Sequence, residues 1–393
     1  MKKRNDPKQI LPHAHSYVPY GRQCIDEDDI QAVVDVLRSD MLTTGPLVPE
    51  FEREFASFCG AQEAVAVSNG TAALHAAMYA LGISPGDEVI VPAITFVASA
   101  NCVAYMGARP IFADVDAETL LIDPSHVKAL ITPKTKAIVA VDYAGHPCDY
   151  DSLSAIASTY GIPIVADACH ALGSLYKGRP TGVLADLNVF SFHPVKHITT
   201  GEGGMITTQD GGLARRLRIF RNHGITTDHH QRAGQGSWVY EMTDLGYNYR
   251  ISDFQCALGK SQLHKLPKWI DRRQMIARQY DNAFKDFPGI SPLRVSDQVS
   301  HAYHLYVIRI GEEAGLKRSE VFDHMRQAKI GVNVHYMPVY LHPYYQSRFG
   351  TRKGQCPNAE TAYEQILTLP LYSSISDDDV LYVIETLSKI LYS

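Results

Sequence analysis

A lysine and an aspartate, each placed just after an apolar stretch, have the clearest potential for chemistry in this sequence. Lys196 lies in the polar, glycine-rich connection between LNVFSFH and GGMITT, and Asp167 ends the apolar stretch IPIVAD. A lysine in a connection is most often a solvated surface charge. A carboxylate at the end of a buried strand is often a helix cap or one half of a structural ion pair. Each residue alone therefore has an ordinary structural explanation.

The two residues together match the needs of pyridoxal phosphate (PLP). This cofactor is held through an imine with a lysine, and an acidic partner keeps its pyridine nitrogen protonated so that the ring accepts electrons from a carbanion. One predicted strand separates Asp167 from Lys196, which would bring both side chains to one rim of a sheet. Many α/β proteins carry an acid and a lysine at such a spacing, so the pair predicts a PLP site only together with further residues.

Further residues could hold the phosphate group of the cofactor. In SNGTAAL, Gly70 permits close approach to the backbone and Thr71 offers a hydroxyl. Both would open a helix, where free N–H groups attract anions. An ordinary capped helix start explains the same letters equally well. Ser191, five residues before Lys196, could donate a second hydroxyl to the same phosphate.

Two ring-bearing residues could contact the faces of the pyridine ring. Phe96, in PAITF, could stack on the ring, although a lone phenylalanine is more often part of the core. His170, three residues after Asp167, could lie against the opposite face or bond the ring hydroxyl. Otherwise His170 is a buried histidine with its hydrogen bonds satisfied by the protein.

Short apolar stretches alternate with helical patterns from about residue 25 onwards, which predicts an α/β fold. Strands that are apolar nearly throughout and are separated by helices are typical of a parallel or mixed sheet covered on both faces. From about Ile251 a helical pattern continues, and Pro267 is expected to kink that helix. Beyond it we predict strands at 301–310 and 331–339, with helices to the end of the chain.

These patterns divide the 393 residues into three parts: an N-terminal arm at 1–24, a large PLP-binding domain at 25–260, and a linking helix with a small C-terminal domain at 261–393. With 45% hydrophobic and 20% charged residues, the chain can bury a large core. The formal net charge of -5 gives no support to nucleic-acid binding by bulk charge.

The composition also indicates a compartment. The seven cysteines are scattered and never form a C-x-x-C pair, which argues against a disulfide scaffold and fits a reducing cytosol. The basic N-terminus lacks an apolar signal region, and we find no run of about 18 apolar residues. We therefore expect a cytoplasmic protein that binds neither nucleic acid nor a membrane.

Motifs for other chemistries are absent from the sequence. There is no G-x-G-x-x-G after a strand, no Walker A sequence and no G-x-S-x-G elbow. His301 and His304 are three residues apart on a predicted strand, which would place them on opposite faces. His229 and His230 are adjacent in a polar loop, where histidines are usually solvated. We therefore predict no metal site.

Several stretches, in order and spacing, resemble the sugar aminotransferases of the DegT/DnrJ/EryC1/StrS family over nearly the whole chain. They are LTTGPLVPEFEREFA, VAVSNGTAALHAAM, DEVIVPAITFVASAN, IVADACHALGS, FSFHPVKHITTGEGGMITT, GYNYRISDFQCALGKSQL and VHYMPVY. The resemblance implies the fold of aspartate aminotransferase, fold type I of the PLP-dependent transferases. It implies a large, mostly parallel sheet domain and a smaller C-terminal α/β domain.

The resemblance also implies roles for single residues. Lys196 would form the internal aldimine with PLP, and Asp167 would hold the pyridinium. Phe96 would stack on the ring, with His170 on the opposite face. The resemblance assigns the phosphate to Gly70, Thr71, Ala72 and Ser191.

The family works as a homodimer with active sites at the interface, so the resemblance implies a homodimer with shared sites here. Asn248, in GYNYR, would then reach the phosphate of the neighbouring subunit's cofactor. Tyr20, His335 and Tyr336 are candidates for binding the nucleotide sugar, although polar aromatic residues at strand ends are as often structural.

Within the family, the chain resembles the transaminases of the pseudaminic acid pathway that make UDP-4-amino-4,6-dideoxy-N-acetyl-β-L-altrosamine. The stretches VPYG, DACHALGS, SFHPVK and VHYMPVY carry this likeness. Many relatives have glutamine at the position of His170, so this histidine marks a subgroup. His197 departs from the proline expected after the lysine in that subgroup.

The activity implied is a ping-pong transamination from L-glutamate to a UDP-linked 4-keto-6-deoxy sugar, with 2-oxoglutarate released and PLP alternating with pyridoxamine phosphate. Two other activities stay open. A dehydratase or lyase of the same fold would form a dehydrated product without consuming glutamate. A non-catalytic binding protein would hold the cofactor and turn over no keto sugar. The identity of the sugar, and UDP against dTDP, also stay open at this point.

Overall fold

A computed structural model of the protein describes residues 16–227 and 238–392. Most of the predicted N-terminal arm, together with His229 and His230, lies outside the described residues. Across the part of the chain that is described, no helix is long and apolar enough to cross a membrane.

The strands and helices alternate along the first half of the chain. The strands are β1 Glu63–Val67, β2 Glu88–Pro92, β3 Arg109–Ala113, β4 Thr135–Val141, β5 Ile164–Asp167, β6 Leu175–Tyr176, β7 Arg179–Pro180, β8 Leu187–Ser191, β9 Gly204–Thr208, β10 Ile290–Pro292, β11 Val299–Ser300, β12 Tyr306–Ile310 and β13 Ile366–Leu369. The helices are α1 Glu27–Leu37, α2 Leu47–Cys59, α3 Gly70–Ala80, α4 Ala98–Tyr105, α5 Pro124–Leu130, α6 Tyr150–Tyr160, α7 Gly211–Arg221, α8 Asp253–Phe284, α9 Arg318–Gln327, α10 Pro343–Phe349, α11 Pro357–Gln365 and α12 Asp377–Tyr392.

The main sheet has seven strands in the order β1-β9-β8-β5-β4-β2-β3. The pairs among β2, β3, β4, β5 and β8 are all parallel, and β9 runs antiparallel to both of its neighbours. Along β1, Val65 and Val67 pack into one apolar cluster, while Ala64 and Ala66 pack into another. The sheet is therefore covered by helices on both faces. This confirms the predicted α/β class with a mostly parallel sheet.

A second apolar core lies around the C-terminal half of α8 and the antiparallel sheet β10-β12-β13. Its buried side chains include Ile276, Tyr280, Ile308, Leu367 and Val383. Helix α8 runs without interruption through residue 260, where the sequence divides the large domain from the linking helix. The exact division of the chain into domains stays a prediction.

Two predictions for the C-terminal region are wrong, and a third is correct only in part. The stretch 301–310 becomes a strand only from Tyr306 onwards, so residues 301–305 are irregular. The stretch 331–339 forms no strand and has only an isolated bridge between Asn333 and Thr368. Strand β13 lies where we predicted helix. A half-buried apolar pattern alone does not distinguish these cases, because neighbouring backbone decides which groups complete a ladder.

Phe51 offers a test of the packing beneath the connection that carries Lys196. Its ring is fully buried, lies 5.5 Å from the ring of Phe192, and closely contacts Gly259 of α8. We expect Phe51→Ala to reduce the free energy of unfolding by about 3–5 kcal/mol, measured by urea denaturation. Leu381→Ala, at a side chain with 54% exposure, serves as the control and should change it by less than about 0.5 kcal/mol. Equal effects in both variants would contradict this packing.

Candidate active site

The carboxyl ends of β5 and β8 bring the two predicted catalytic residues to one rim of the sheet. Asp167 is the last residue of β5 and pairs with Val189 of the neighbouring parallel strand β8. Lys196 lies in the connection that follows β8, where its N–H donates to the carbonyl of His193 at 2.9 Å. The structure therefore brings Asp167 and Lys196 together, as the order of strands along the sequence suggested.

Asp167 is a buried carboxylate whose hydrogen-bond donors are neutral, and Lys196 acts on it only from beyond ion-pair distance. It is 6% exposed, and no ion pair within 4.0 Å includes it among residues 16–227 and 238–392. Ser99 donates to its Oδ2 at 2.6 Å, and Ser99 also bonds Thr95 at 2.7 Å. The N–H of Cys169 donates to Oδ1 at 3.3 Å. A buried anion held only by neutral donors is suited to a protonated ring nitrogen, so Asp167 fits the pyridinium of PLP.

The start of helix α3 is shaped for close approach by a small anion. Asn69 is the N-cap, and its side chain accepts the N–H of Ala72 at 2.7 Å. The N–H groups of Gly70 and Thr71 have no acceptor in the described structure. Two donors at a helix N-terminus fit a phosphate. Because Ala72 already donates to Asn69, Gly70 and Thr71 offer the more available groups.

Glycines let the end of strand β8 reach this helix start. A Cβ added to Gly70 would lie 2.9 Å from the Cβ of Ser191. A Cβ added to Gly204, at the start of β9, would lie 2.6 Å from the carbonyl oxygen of Asn69. The hydroxyl of Ser191 is thereby brought beside the free donors of α3. The four residues predicted for the phosphate thus share one corner of the rim.

Lys196 is half-buried, and its amine lies beside His304, which the sequence analysis considered only as a metal ligand. Its Nζ is 3.4 Å from Nε2 of His304. Burial lowers the pKa of Lys196, and the nearby Cys169 and Asp167 oppose that shift. Since the neutral amine is the nucleophile, this environment favours the reactive form.

The predicted ring-facing residues lie at the same edge. Phe96 is 54% exposed, and its ring centroid is 6.0 Å from that of Tyr336. Tyr336 Oη lies 3.2 Å from Nε2 of His170, whose Nδ1 is buried without a partner. Burial, and then the charge of Lys196, holds the pKa of His170 well below its usual range, so the ring is neutral.

The three residues predicted for the sugar form a connected group. The ring centroids of Tyr20 and His335 are 5.4 Å apart, and Tyr336 follows His335 in the chain. Both nitrogens of His335 have protein partners, Nδ1 at 2.9 Å from Thr368 Oγ1 and Nε2 at 3.3 Å from Asn333 Nδ2. Burial, and then the charge of Lys196, lowers the pKa of His335 to about 3. His335 therefore lies within electrostatic range of the lysine.

Asn248 is exposed, and within the described residues it forms no hydrogen bond with the groups above. It forms an isolated bridge with Asn222, and the carbonyl of the next residue, Tyr249, accepts the N–H of Ser68 at 2.8 Å. No bond joins Asn248 to Lys196 or Asp167 in the described part of the chain. The role predicted for it in a neighbouring subunit stays a prediction.

Sequence reasoning missed several residues of the rim. Asp142 directly follows β4, and its fully buried carboxylate accepts from the N–H of Cys148 and the hydroxyl of Tyr150. Burial raises the pKa of Asp142 to about 7, with the charge of Asp167 adding to the shift. Its place after an apolar strand was a signal that could have revealed it. His304 had no such signal, because it belonged to a predicted strand.

Comparison with known proteins decides the family. The model of the DegT/DnrJ/EryC1/StrS aminotransferase family matches residues 23–388. The chain belongs to this family. Its cofactor is PLP, and the buried Asp167, the half-buried Lys196 and the free donors at Gly70 and Thr71 fit that group.

Relatives and solved structures support the assignment. The chain is 44% identical over 385 residues to the spore coat polysaccharide biosynthesis protein SpsC of Bacillus subtilis, covering 97% of this chain and 99% of that protein. A putative sugar aminotransferase of Streptococcus pneumoniae, solved in a pyridoxamine phosphate form, has a TM-score of 0.90 and 35% identity, covering 95% of this chain and 99% of its own.

Helicobacter pylori PseC is an aminotransferase involved in the biosynthesis of pseudaminic acid. Its structure has a TM-score of 0.89 and 32% identity, covering 96% of this chain and 100% of its own.

Gly70→Ala tests the corner that this site assigns to the phosphate. The added methyl would push Ser191 away from the helix start, so we expect the Kd for PLP to rise about tenfold, equal to about 1.4 kcal/mol. The matched control is Gly211→Ala, at the same first position of helix α7, where an added Cβ meets nothing within 4 Å. The measurement is a PLP absorbance titration. An unchanged Kd in Gly70→Ala would contradict the placement.

Proposed function

We propose that the protein moves the amino group of L-glutamate to C4 of a UDP-linked 4-keto-6-deoxy-N-acetylhexosamine, making an amino sugar for surface glycans in the cytoplasm. The observation that carries the proposal is the meeting of Asp167, a buried carboxylate without a cation, and Lys196, a half-buried lysine, at the ends of neighbouring strands. The sugar and its nucleotide rest on the likeness to PseC and to the polysaccharide protein SpsC.

The proposal assigns separate roles to Asp167, Ser99 and Lys196. PLP, when bound, accepts the electrons left on a carbon that loses a proton. Asp167 keeps the pyridine nitrogen protonated, and the hydroxyl of Ser99 fixes the carboxylate through its 2.6 Å bond. Lys196 holds the cofactor's aldehyde covalently between turnovers. Once released, its amine would take a proton from Cα of the amino substrate and deliver it to C4′ of the cofactor.

The substrates use this site in turn. The amino group would pass between them on PLP: glutamate would leave as 2-oxoglutarate, with its keto oxygen supplied by water, and the keto sugar would then receive the amine and release water. Phe96 would cover one face of the cofactor ring and His170 the other, with Tyr336 holding His170 in place through the 3.2 Å contact. Tyr20 and His335, whose ring centroids are 5.4 Å apart, would contact the sugar. Burial lowers the pKa of both His170 and His335. Their rings would therefore take part in the reaction as neutral groups.

We further propose a homodimer with shared active sites, in which Asn248 contacts the phosphate in the neighbouring subunit. The support is a set of exposed apolar side chains shortly before Asn248 in the sequence. Trp238, Met242 and Leu245 are 85%, 63% and 73% exposed. Exposed apolar groups this close together favour a protein interface.

The substrate proposal is tested with a panel of UDP- and dTDP-linked 4-keto-6-deoxy sugars, with and without L-glutamate, and with product masses read by spectrometry. We expect a UDP-linked amino sugar whose formation requires glutamate. A dehydrated product formed without glutamate would replace this proposal with a lyase. Turnover of no keto sugar, by protein that still carries PLP, would favour a binding protein.

Lys196→Arg and Lys196→Ala test the central residue. We expect either change to lower turnover by about 10²–10⁴-fold or more, because both the covalent link and the proton carrier are lost. Borohydride should also no longer fix PLP to the protein. Lys177→Ala, at an exposed lysine paired with Asp151, is the control and should behave as wild type. Substantial turnover in the Lys196 variants would refute the assignment.

Asp167→Asn tests the electron-accepting role of the cofactor ring. An amide cannot hold the pyridine nitrogen protonated, so we expect most of kcat to be lost while the protein still folds and binds PLP. Asp123→Asn changes the half-buried N-cap of α5 and should leave kcat unaffected. Wild-type turnover in Asp167→Asn would count against a protonated ring.

A further inference from the structure

The irregular segment 301–305, predicted as a strand, is fastened at several points beside the active site. The N–H of Ala302 donates to Oγ of Ser174 at 3.0 Å, and Nε2 of His197 lies 3.1 Å from the carbonyl of Ala302. A Cβ added to Gly145 would lie 3.0 Å from the backbone nitrogen of His304. The segment therefore has little freedom to move relative to the rim of the sheet.

Arg273 of helix α8 holds the same segment with an unusual set of partners. The side chain is 2% exposed, and its Nη1 group donates to the carbonyls of Tyr303, His304 and Leu371 at 3.1, 3.5 and 3.1 Å. No carboxylate pairs with it within the described ranges 16–227 and 238–392. A buried guanidinium without an anion is destabilising unless donors and dipoles compensate it. Here two of the three carbonyls belong to the segment that carries His304, while Nε is buried without a partner in the described part of the chain.

The fastened segment presents the imidazole of His304 to Lys196. His304 is 5% exposed, and its ring lies 4.4 Å from His170 and 5.7 Å from His197. Burial, then the charge of Lys196, holds the pKa of His304 well below its usual range. A neutral imidazole has one nitrogen that accepts a hydrogen bond, whereas a lysine ammonium only donates. Nε2, at 3.4 Å from Nζ, accepts from the charged lysine in the tautomer whose proton is on Nδ1, a nitrogen that is buried without a partner among the described residues.

We propose that His304 is a positioning residue for Lys196, whose Nε2 accepts a hydrogen bond from the lysine amine when that amine is not bonded to the cofactor. The inference rests on the proposed role of Lys196. During turnover the lysine is freed and carries one proton from Cα to C4′, and His304 gains and loses none. The bond keeps the free lysine over the reacting atoms while it is charged.

Several groups besides His304 act on the charge of this lysine. Those with an electrostatic interaction with Lys196 are Asp167, Cys169, His170, His197, His304 and His335. A test must therefore change the acceptor at residue 304 and leave burial and these neighbours as they are.

Two amide variants meet that requirement. The carbonyl of glutamine in His304→Gln reaches about as far as Nε2, whereas that of asparagine in His304→Asn falls short. The cofactor-free, full-length protein is labelled with acetic anhydride over a range of pH, and the labelling of Lys196 is followed by peptide mass spectrometry. Lys177 is an internal reference in each sample, and His146→Gln, which removes a buried histidine bonded to Ser296 and Pro147, is the control protein.

Loss of the acceptor destabilises the ammonium, so the pKa of Lys196 falls and its labelling midpoint moves to lower pH. We expect a shift of about one pH unit, a tenfold change in equilibrium, in His304→Asn. His304→Gln and His146→Gln should stay near wild type. The value of kcat should fall in the asparagine variant and recover in the glutamine variant, with KM little changed.

Equal midpoints in His304→Asn and wild type, or an equal shift in both amide variants, would overturn the inference. If His304→Asn does not fold, His304→Leu is compared with His304→Gln instead. An unchanged midpoint in His304→Leu, or an equal shift in both variants, would then overturn the inference. Failure of the proposed function is seen separately, as turnover that survives in Lys196→Ala or as inactivity of the wild type on every keto sugar. The labelling midpoint depends on neither result.

Discussion

The carboxylate of Asp167 sets the conditions for the rest of the site. It is buried at the carboxyl end of a central strand, where an anion needs strong donors or a positive partner. The protein supplies the hydroxyl of Ser99 and one N–H, and no basic side chain among the described residues pairs with it. This leaves room for a cationic ring nitrogen as the charge partner. The same carboxylate opposes the fall in the pKa of Lys196 that burial causes.

The strand order then brings the remaining groups to that carboxylate. Parallel β4, β5 and β8 end at one rim, so the residues after them converge although they are far apart in the chain. Antiparallel β9 returns beside β8, and its first residue, Gly204, packs on the backbone before helix α3. Only a glycine permits that approach, which places the hydroxyl of Ser191 next to the free donors of the helix.

The sequence correctly predicted those strands and helices whose local pattern of apolar residues is compatible with only one type of element. Apolar runs separated by helices indicated the sheet, and the residues after those runs, Asp167 and Ser191 among them, lie on the rim. The prediction failed at 301–305, whose apolar and aromatic residues have the composition of a strand. There, bonds to Ser174, His197 and Arg273 take up backbone groups that a ladder would have used. Ser99 and His304 were missed because their partners are distant in sequence.

By itself, the sequence determined the family, the α/β class, the cofactor and the residue types available for its aldehyde, its ring nitrogen and its phosphate, because these depend on local pattern and on side-chain chemistry. Tertiary structure alone decided which groups surround them. The 3.4 Å approach of His304 to Lys196, the support of Arg273 for that segment, and the lowered pKa of the lysine all arise from packing between distant segments. Burial and mutual distance are properties of the folded chain, and no spacing along the sequence encodes them.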